Sequence, residues 1–200
     1  SWVKIGADID GEDIANYSGC SVSLSADGTK VAIGATGNDN GNGSDAGQVR
    51  VYQYSGGSWV QLGADIDGEA AADQSGFSVS LSSDGTKVAI GAYLNDGSGT
   101  NAGQVRVYEY SGGSWVKIGD DIDGEAANDQ SGSSVSISLD GTKVAIGAVY
   151  NSTSAGHTRV YSLEHQTITW NGTAWSNGTG PSTNLHNVVI DGNLSTTSII

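Results

Sequence analysis

Apolar and polar residues alternate with a period of two through most of residues 1–163, in short bursts separated by glycine-rich turns. In "SVSLS" and its counterparts, Val22/Leu24, Val79/Leu81 and Val135/Ile137 share one face and serines occupy the other. A second burst, "KVAIGA", sets Val31/Ile33, Val88/Ile90 and Val144/Ile146 against Ala and Gly. The third reads "QVRVYQY", "QVRVYEY" and, in weakened form, "HTRVYSL"; the fourth reads "SWVKIG" or "SWVQLG". This alternation predicts strands with one buried face. Asp-Gly at 27–28, 84–85 and 140–141 predicts tight hairpins between the first two strands, with both turn residues at positive φ. Gly-Gly at 56–57 and 112–113 predicts the same between the third and fourth.

The bursts recur as a unit. Trp2, Trp59 and Trp115 are equivalent, which gives periods of 57 and 56 residues. Four antiparallel strands at a fixed period predict an all-β chain of three β-propeller blades, with small side chains near the channel and the Trp over the outer edge. A parallel β-helix is the competing architecture, although it does not need tight hairpins inside each repeat. The chain opens on a fourth strand and its last copy stops after a third, near Leu163. That phase is the one in which an N-terminal strand completes a final blade. Closed propellers have four or more blades. Two expectations follow: a homodimer completing a six-bladed ring, or a piece of a larger propeller. The second is favoured, and the absence of Met agrees with an excised piece.

"SGFSVSLSSDGTKVAIGA…AGQVRVYEY" resembles the FG-GAP repeat of integrin α-chain propellers and of bacterial secreted surface proteins, over roughly residues 1–163. The resemblance implies an extracellular or cell-surface protein serving adhesion or ligand recognition. The integrin-type blade carries a calcium loop of alternating Asp before its "GA" strand. Here that place holds one Asp per copy, so Asp27, Asp84 and Asp140 read as turn residues. Residues 1–165 are therefore expected to hold three repeats, and 166–200 a β-hairpin-containing linker or the start of a second β domain. Within the latter, "TITWNGTAW" predicts a hairpin and "NVVIDGN" a further strand and turn. "WNGTAWSNGTGPSTNLHNVVIDGN" resembles modules of large Bacteroidetes proteins exported by the type IX system.

Charge narrows the partners. A formal charge of −14 opposes nucleic acid and anionic lipid. No apolar run reaches the length of a membrane span, so direct insertion is not expected. Cys20 is the single cysteine and reads as a packed small residue, aligned with Phe77 and Ser133.

Catalysis needs one unique site, and the chain shows little that breaks its repeat. His157, His165 and His186 have no metal-ligand spacing, and Glu164 beside His165 reads as a solvated junction. No catalytic residue is assigned. The acidic runs offer a candidate calcium site, with carboxylates at i, i+2 and i+4: Asp8, Asp10, Glu12; Asp65, Asp67, Glu69; Asp121, Asp123, Glu125. The alternative is a plain connection between blades. Segments 36–46, 93–102 and 149–155 diverge in length and sequence, keeping Asn38, Asn95 and Asn151 in common. With Asp39 and Asp96, these are the candidate ligand-binding residues of a rim. The expected function is a non-enzymatic extracellular binding or adhesion module with a protein or glycan ligand. A structural spacer without ligand is one alternative, and a fragment of a propeller hydrolase or lyase with its active site elsewhere is another.

Overall fold

The computed structural model describes residues 1–163 and two short strands beyond them, at 168–170 and 175–177. The chain divides into two compact units, Ser1–Leu163 and Glu164–Ile200. The first is all-β apart from one helical turn.

Its strands form three successive antiparallel sheets. The first blade runs β1 (Ser18–Leu24), β2 (Lys30–Ala35), β3 (Gln48–Ser55) and β4 (Ser58–Gln61), in that spatial order. A two-residue β5 (Ile66–Asp67) returns to the same edge of β3, opposite Val49 and Gln48. The second blade repeats this with β6 (Ser78–Leu81), β7 (Lys87–Ala92), β8 (Gln104–Ser111), β9 (Ser114–Lys117) and β10 (Ile122–Asp123). The third holds β11 (Ser131–Ile137), β12 (Lys143–Ala148) and β13 (His157–Ser162), with α1 (Asn151–Ser154) between the last two. Every pair is antiparallel and each sheet is a meander, which sets the β-helix aside. In the second unit, β14 (Ile168–Trp170) pairs with β15 (Trp175–Asn177), Trp170 opposite Trp175, as the hairpin reading of that stretch expects. "NVVIDGN" lies outside the described residues, as do Glu164, His165 and His186.

The core lies between the sheets. Ala32, Val49, Val51 and Ile66 of the first blade close over Val79, Leu81, Val88 and Ile90 of the second. Ala89, Val105 and Val107 of the second close over Ile137, Val144 and Ile146 of the third. The second blade therefore buries one face on the first and the other on the third, which is why both faces of its "KVAIGA" must be apolar and one must be thin. Trp115 packs at the margin of the first of these layers, and its Nε1 donates to the Leu62 carbonyl of the preceding blade at 2.7 Å.

Three expectations need correction. The fourth strand is broken, because Gly63 at φ 77° turns the chain before β5 resumes the pairing. Its first copy, residues 2–6, forms no strand, since no third strand stands beside it among the described residues. Secondly, the Asp-Gly turns are not the mirror-image type: Gly28, Gly85 and Gly141 have positive φ, but the aspartates do not. Each Asp instead folds its carboxylate back onto the turn, as described below. The Gly-Gly turns do have both residues at positive φ, 60° and 90° at Gly56 and Gly57. Thirdly, Cys20 is exposed rather than packed. Its Sγ lies 3.6 Å from the Gly76 carbonyl oxygen of the second blade.

Candidate functional site

The acidic runs occupy the passage from one blade to the next, and their carboxylates part company there. The first aspartate of each run turns back along the fourth strand: Lys4 donates to Asp8 at 3.3 Å, Gln61 to Asp65 at 2.6 Å and Lys117 to Asp121 at 2.7 Å. The hydrogen bond to Asp121 raises the Lys117 pKa. In the second and third runs the second aspartate meets a glutamine: Gln48 Nε2 donates to Asp67 at 3.4 Å and Gln104 Nε2 to Asp123 at 3.3 Å. The glutamate leaves for an arginine: Glu12 lies 3.6 Å from Arg50, Glu69 3.3 Å from Arg106 and Glu125 3.9 Å from Arg159. Among the described residues no three His, Cys, Asp or Glu side chains gather closely enough to hold a metal ion. The alternation in sequence thus spreads these groups instead of converging them.

The arginines are the residues that sequence reasoning missed. Each sits at the third position of the third strand and bonds the same backbone carbonyl in every copy. Arg50 donates to the Asp10 carbonyl at 2.9 Å, Arg106 to that of Asp67 at 2.8 Å and Arg159 to that of Asp123 at 2.7 Å. Arg106 and Arg159 also donate to the hydroxyls of Ser75 and Ser131. Each guanidinium stands 5.6 Å from the ring centre of the tyrosine two residues on, Tyr52, Tyr108 or Tyr161. The signal was present, since "DIDGE" and "RVY" recur together in all three copies.

A second lock joins neighbouring first strands. Ser21 donates to the Gly76 carbonyl at 2.6 Å, and Ser78 to that of Gly132 at 2.7 Å. Two residues along, Ser23 accepts from the Leu81 amide and Ser80 from that of Ile137. The serine face of "SVSLS" therefore satisfies backbone groups of the next blade. A Cβ on Gly34 would lie 2.0 Å from the Gly76 oxygen, and one on Gly91 2.1 Å from that of Gly132. Glycine is required there by proximity.

The turn aspartates behave as expected. Asp27 accepts from the hydroxyls of Ser25 and Thr29 and from the Thr29 amide, and these bonds lower its pKa to about 2. Asp140 does the same with Ser138 and Thr142, also at about 2. At Asp84 partial burial opposes the shift, but bonds from Ser82 and Thr86 outweigh it and the pKa is lowered.

The divergent loops are less open than expected. Asn38 and Asn95 are buried, at 7% and 6% exposure, so neither is displayed on a rim. Asn95 donates to Asp73 at 2.8 Å and accepts from the Gly97 amide; Asn151 donates to Asp129 at 3.1 Å. These asparagines anchor their loops from beneath. Burial raises the Asp73 pKa against the hydrogen bond from Asn95. Asp39 and Asp96 are exposed and accept from the amides of Asp45 and Asn101. Beside the loop of the first blade, Glu12, Asp13, Asn16, Asp39 and Asp45 help to line an acidic depression of about 540 Å³.

Three face-packed antiparallel meanders, two of them with a broken fourth strand and the third described over three strands, are β-propeller blades in an open array. Residues 65–108 match the family model of the FG-GAP repeat, from β5 of the first blade through β8 of the second. No curated protein matches the chain in sequence. Among solved structures, the chain is similar to the periplasmic gluconolactonase of Pseudomonas aeruginosa, at 16% identity over 71% of this chain and 38% of that one, TM-score 0.47. It is also similar to a Bacteroides uniformis protein assigned as a 6-phosphogluconolactonase, at 13% identity over 70% and 39%, TM-score 0.43. Hydrazine synthase of Kuenenia stuttgartiensis matches at 14% identity over 73% and 32%, TM-score 0.41. The chain spans between 32% and 39% of the length of these three structures. Among the described residues no helix is long and apolar enough to cross a membrane.

Proposed function

We propose that the chain is a non-enzymatic binding module of an extracellular or cell-surface protein, presenting its divergent loops to a protein or glycan ligand. The observation that carries this reading is the contrast within each repeat. Arginine, glutamate, serine and glycine locks recur from blade to blade, while segments 36–46, 93–102 and 149–155 differ in length and sequence. A rigid scaffold with variable loops is a common arrangement of binding surfaces. The depression beside the first loop gives that loop a concave neighbour. In this reading the "DIDGE" carboxylates hold blades together.

The test is a screen of the chain against immobilised glycans and extracellular matrix proteins. Any hit is then repeated with residues 36–46 replaced by residues 93–102. Saturable binding that the exchange abolishes supports the proposal; no saturable partner removes it. One observation favours the spacer reading instead: Asn38, Asn95, Asp39 and Asp96 are buried or engaged with the backbone of their own loops. A spacer would give no saturable partner and identical results for both chains.

A further inference from the structure

The first blade departs from the other two where the passage leading into it meets its own loop. In the second and third blades a buried aspartate of the passage accepts from the loop asparagine, Asp73 from Asn95 at 2.8 Å and Asp129 from Asn151 at 3.1 Å. The first copy has Asn16 and Asn38 at these two places, each only 7% exposed, and among the described residues neither side chain has a hydrogen-bond partner. Both line the depression of about 540 Å³, whose walls are residues 12–16 of the passage and 37–39, 44 and 45 of the loop. Buried amide groups without partners are costly. Here they border open volume that a ligand can enter.

The carboxylates of the depression also break the repeat. Asp13 stands where the other passages have Ala70 and Ala126, and Asp45 where the other loops have Asn101 and Ser154. The scaffold does not need these two acids, because the other blades are built without them. Glu12 and Asp39 complete the set. Glu12 lies 3.6 Å from Arg50, but among the described residues Asp13, Asp39 and Asp45 have no basic partner. Asp13 and Asp39 each use one oxygen to accept a backbone amide, from Ile14 at 2.7 Å and from Asp45 at 2.8 Å. The acids are too dispersed for a metal ion, since no three gather closely enough among the described residues. The volume suits an organic group, because ligand sites run from roughly 300 to 1,000 Å³. Ile14, 92% exposed, adds an apolar wall.

Resting on the binding reading above, we infer that this depression receives an arginine or lysine side chain of a protein partner. Asp13, Asp39 and Asp45 supply the counter-charge, and the amide oxygens of Asn16 and Asn38 accept further N–H donors from the same head group. The methylene stem lies along Ile14, as the stems of long basic side chains lie on apolar surface while their charged ends stay in polar surroundings. An uncharged glycan has nothing to answer three carboxylates that lack cations. Of the two ligand classes, the depression therefore selects the protein.

The experiment titrates the whole isotope-labelled chain with acetyl-Ala-Arg-Ala-amide and its lysine and citrulline counterparts, followed by amide chemical shifts. Citrulline keeps the shape of arginine without its charge. Saturable shifts at residues 12–16 and 37–45 are expected with arginine or lysine, the tighter of the two naming the preferred head group. Citrulline should bind about tenfold more weakly or not at all. Asp45→Asn, which gives this loop the residue of the second, should weaken binding by a similar factor. Glu109→Gln, the same charge change on β8 outside the depression, should leave it unaltered. No saturable shift up to about 10 mM peptide overturns the inference. Equal affinity for citrulline does so too, as does an equal loss in Glu109→Gln, the mark of attraction to overall negative charge. Calcium chloride that saturates these amides at lower concentration than either peptide overturns it in favour of a metal. A glycan from the screen that shifts them while the peptides do not overturns it as well, and leaves the binding module standing.

Discussion

Arg106 gives up nearly all of its hydration, at 5% exposure, to bond the Asp67 carbonyl, the Ser75 hydroxyl and the Glu69 carboxylate, with its guanidinium beside the Tyr108 ring. Removing such a group leaves several acceptors without a donor, which costs more than the net value of any one bond. Arg106→Ala should lower stability by roughly 2–3 kcal/mol, under the range for fully buried pairs because Glu69 stays partly solvated. Glu69→Gln should cost less than about 1 kcal/mol, since it keeps a hydrogen-bonding group on a half-exposed partner. Urea midpoints of the two variants check the order. The turn aspartates make a second prediction at this scale. Folding lowers the pKa of Asp27 and Asp140 from 3.8 to about 2, so their contribution is present above the upper value and lost as pH falls through the lower one. Asp73 acts in the opposite sense: its pKa is raised, so folding loses stability as that group ionises with rising pH. Melting temperatures at pH 4 and pH 2 should differ less in the double variant Asp27→Asn, Asp140→Asn than in the parent chain.

At the scale of the element, strand order and the Gly-Gly hairpins were legible in the sequence because they depend on local alternation and backbone freedom. Val79 and Leu81 on one face of β6, with Ser78 and Ser80 on the other, read directly as a half-buried strand. What those serines do was not legible. Their partners, Gly132 and Ile137, belong to the next blade, 54 and 57 residues on. The broken fourth strand was hidden for a similar reason, since Ile66 pairs with Val49 across the sheet and its two-residue run carries no periodic signal. Alternate extended residues share a side, so the acidic runs suggest convergence in sequence. The chain bends at Gly63 and again at Glu69, and neighbouring Gln, Lys and Arg side chains draw the carboxylates apart. The loop asparagines misled because a shared residue in a variable segment reads as a displayed group. At Asn95 the shared role is an anchor on a buried aspartate.

For the whole molecule, the repeat is an interface repeat. A quasi-one-dimensional array is stabilised by each unit together with its contacts to the next. Gly34, Gly91 and Gly147 hold equivalent places in their blades, but among the described residues only the first two meet a following blade. None has a positive φ, so alanine is allowed by the backbone at all three. The most direct test compares Gly91→Ala with Gly147→Ala by urea denaturation, at a concentration where the chain is monomeric. Gly91→Ala forces a methyl onto the Gly132 carbonyl and displaces the Ser78 bond, so a loss of about 3 kcal/mol is expected. Gly147→Ala meets only a rotatable hydroxyl and should stay within about 1 kcal/mol of the parent. Equal losses at the two positions would contradict the account, because the glycine would then serve its own blade and not the contact with the next.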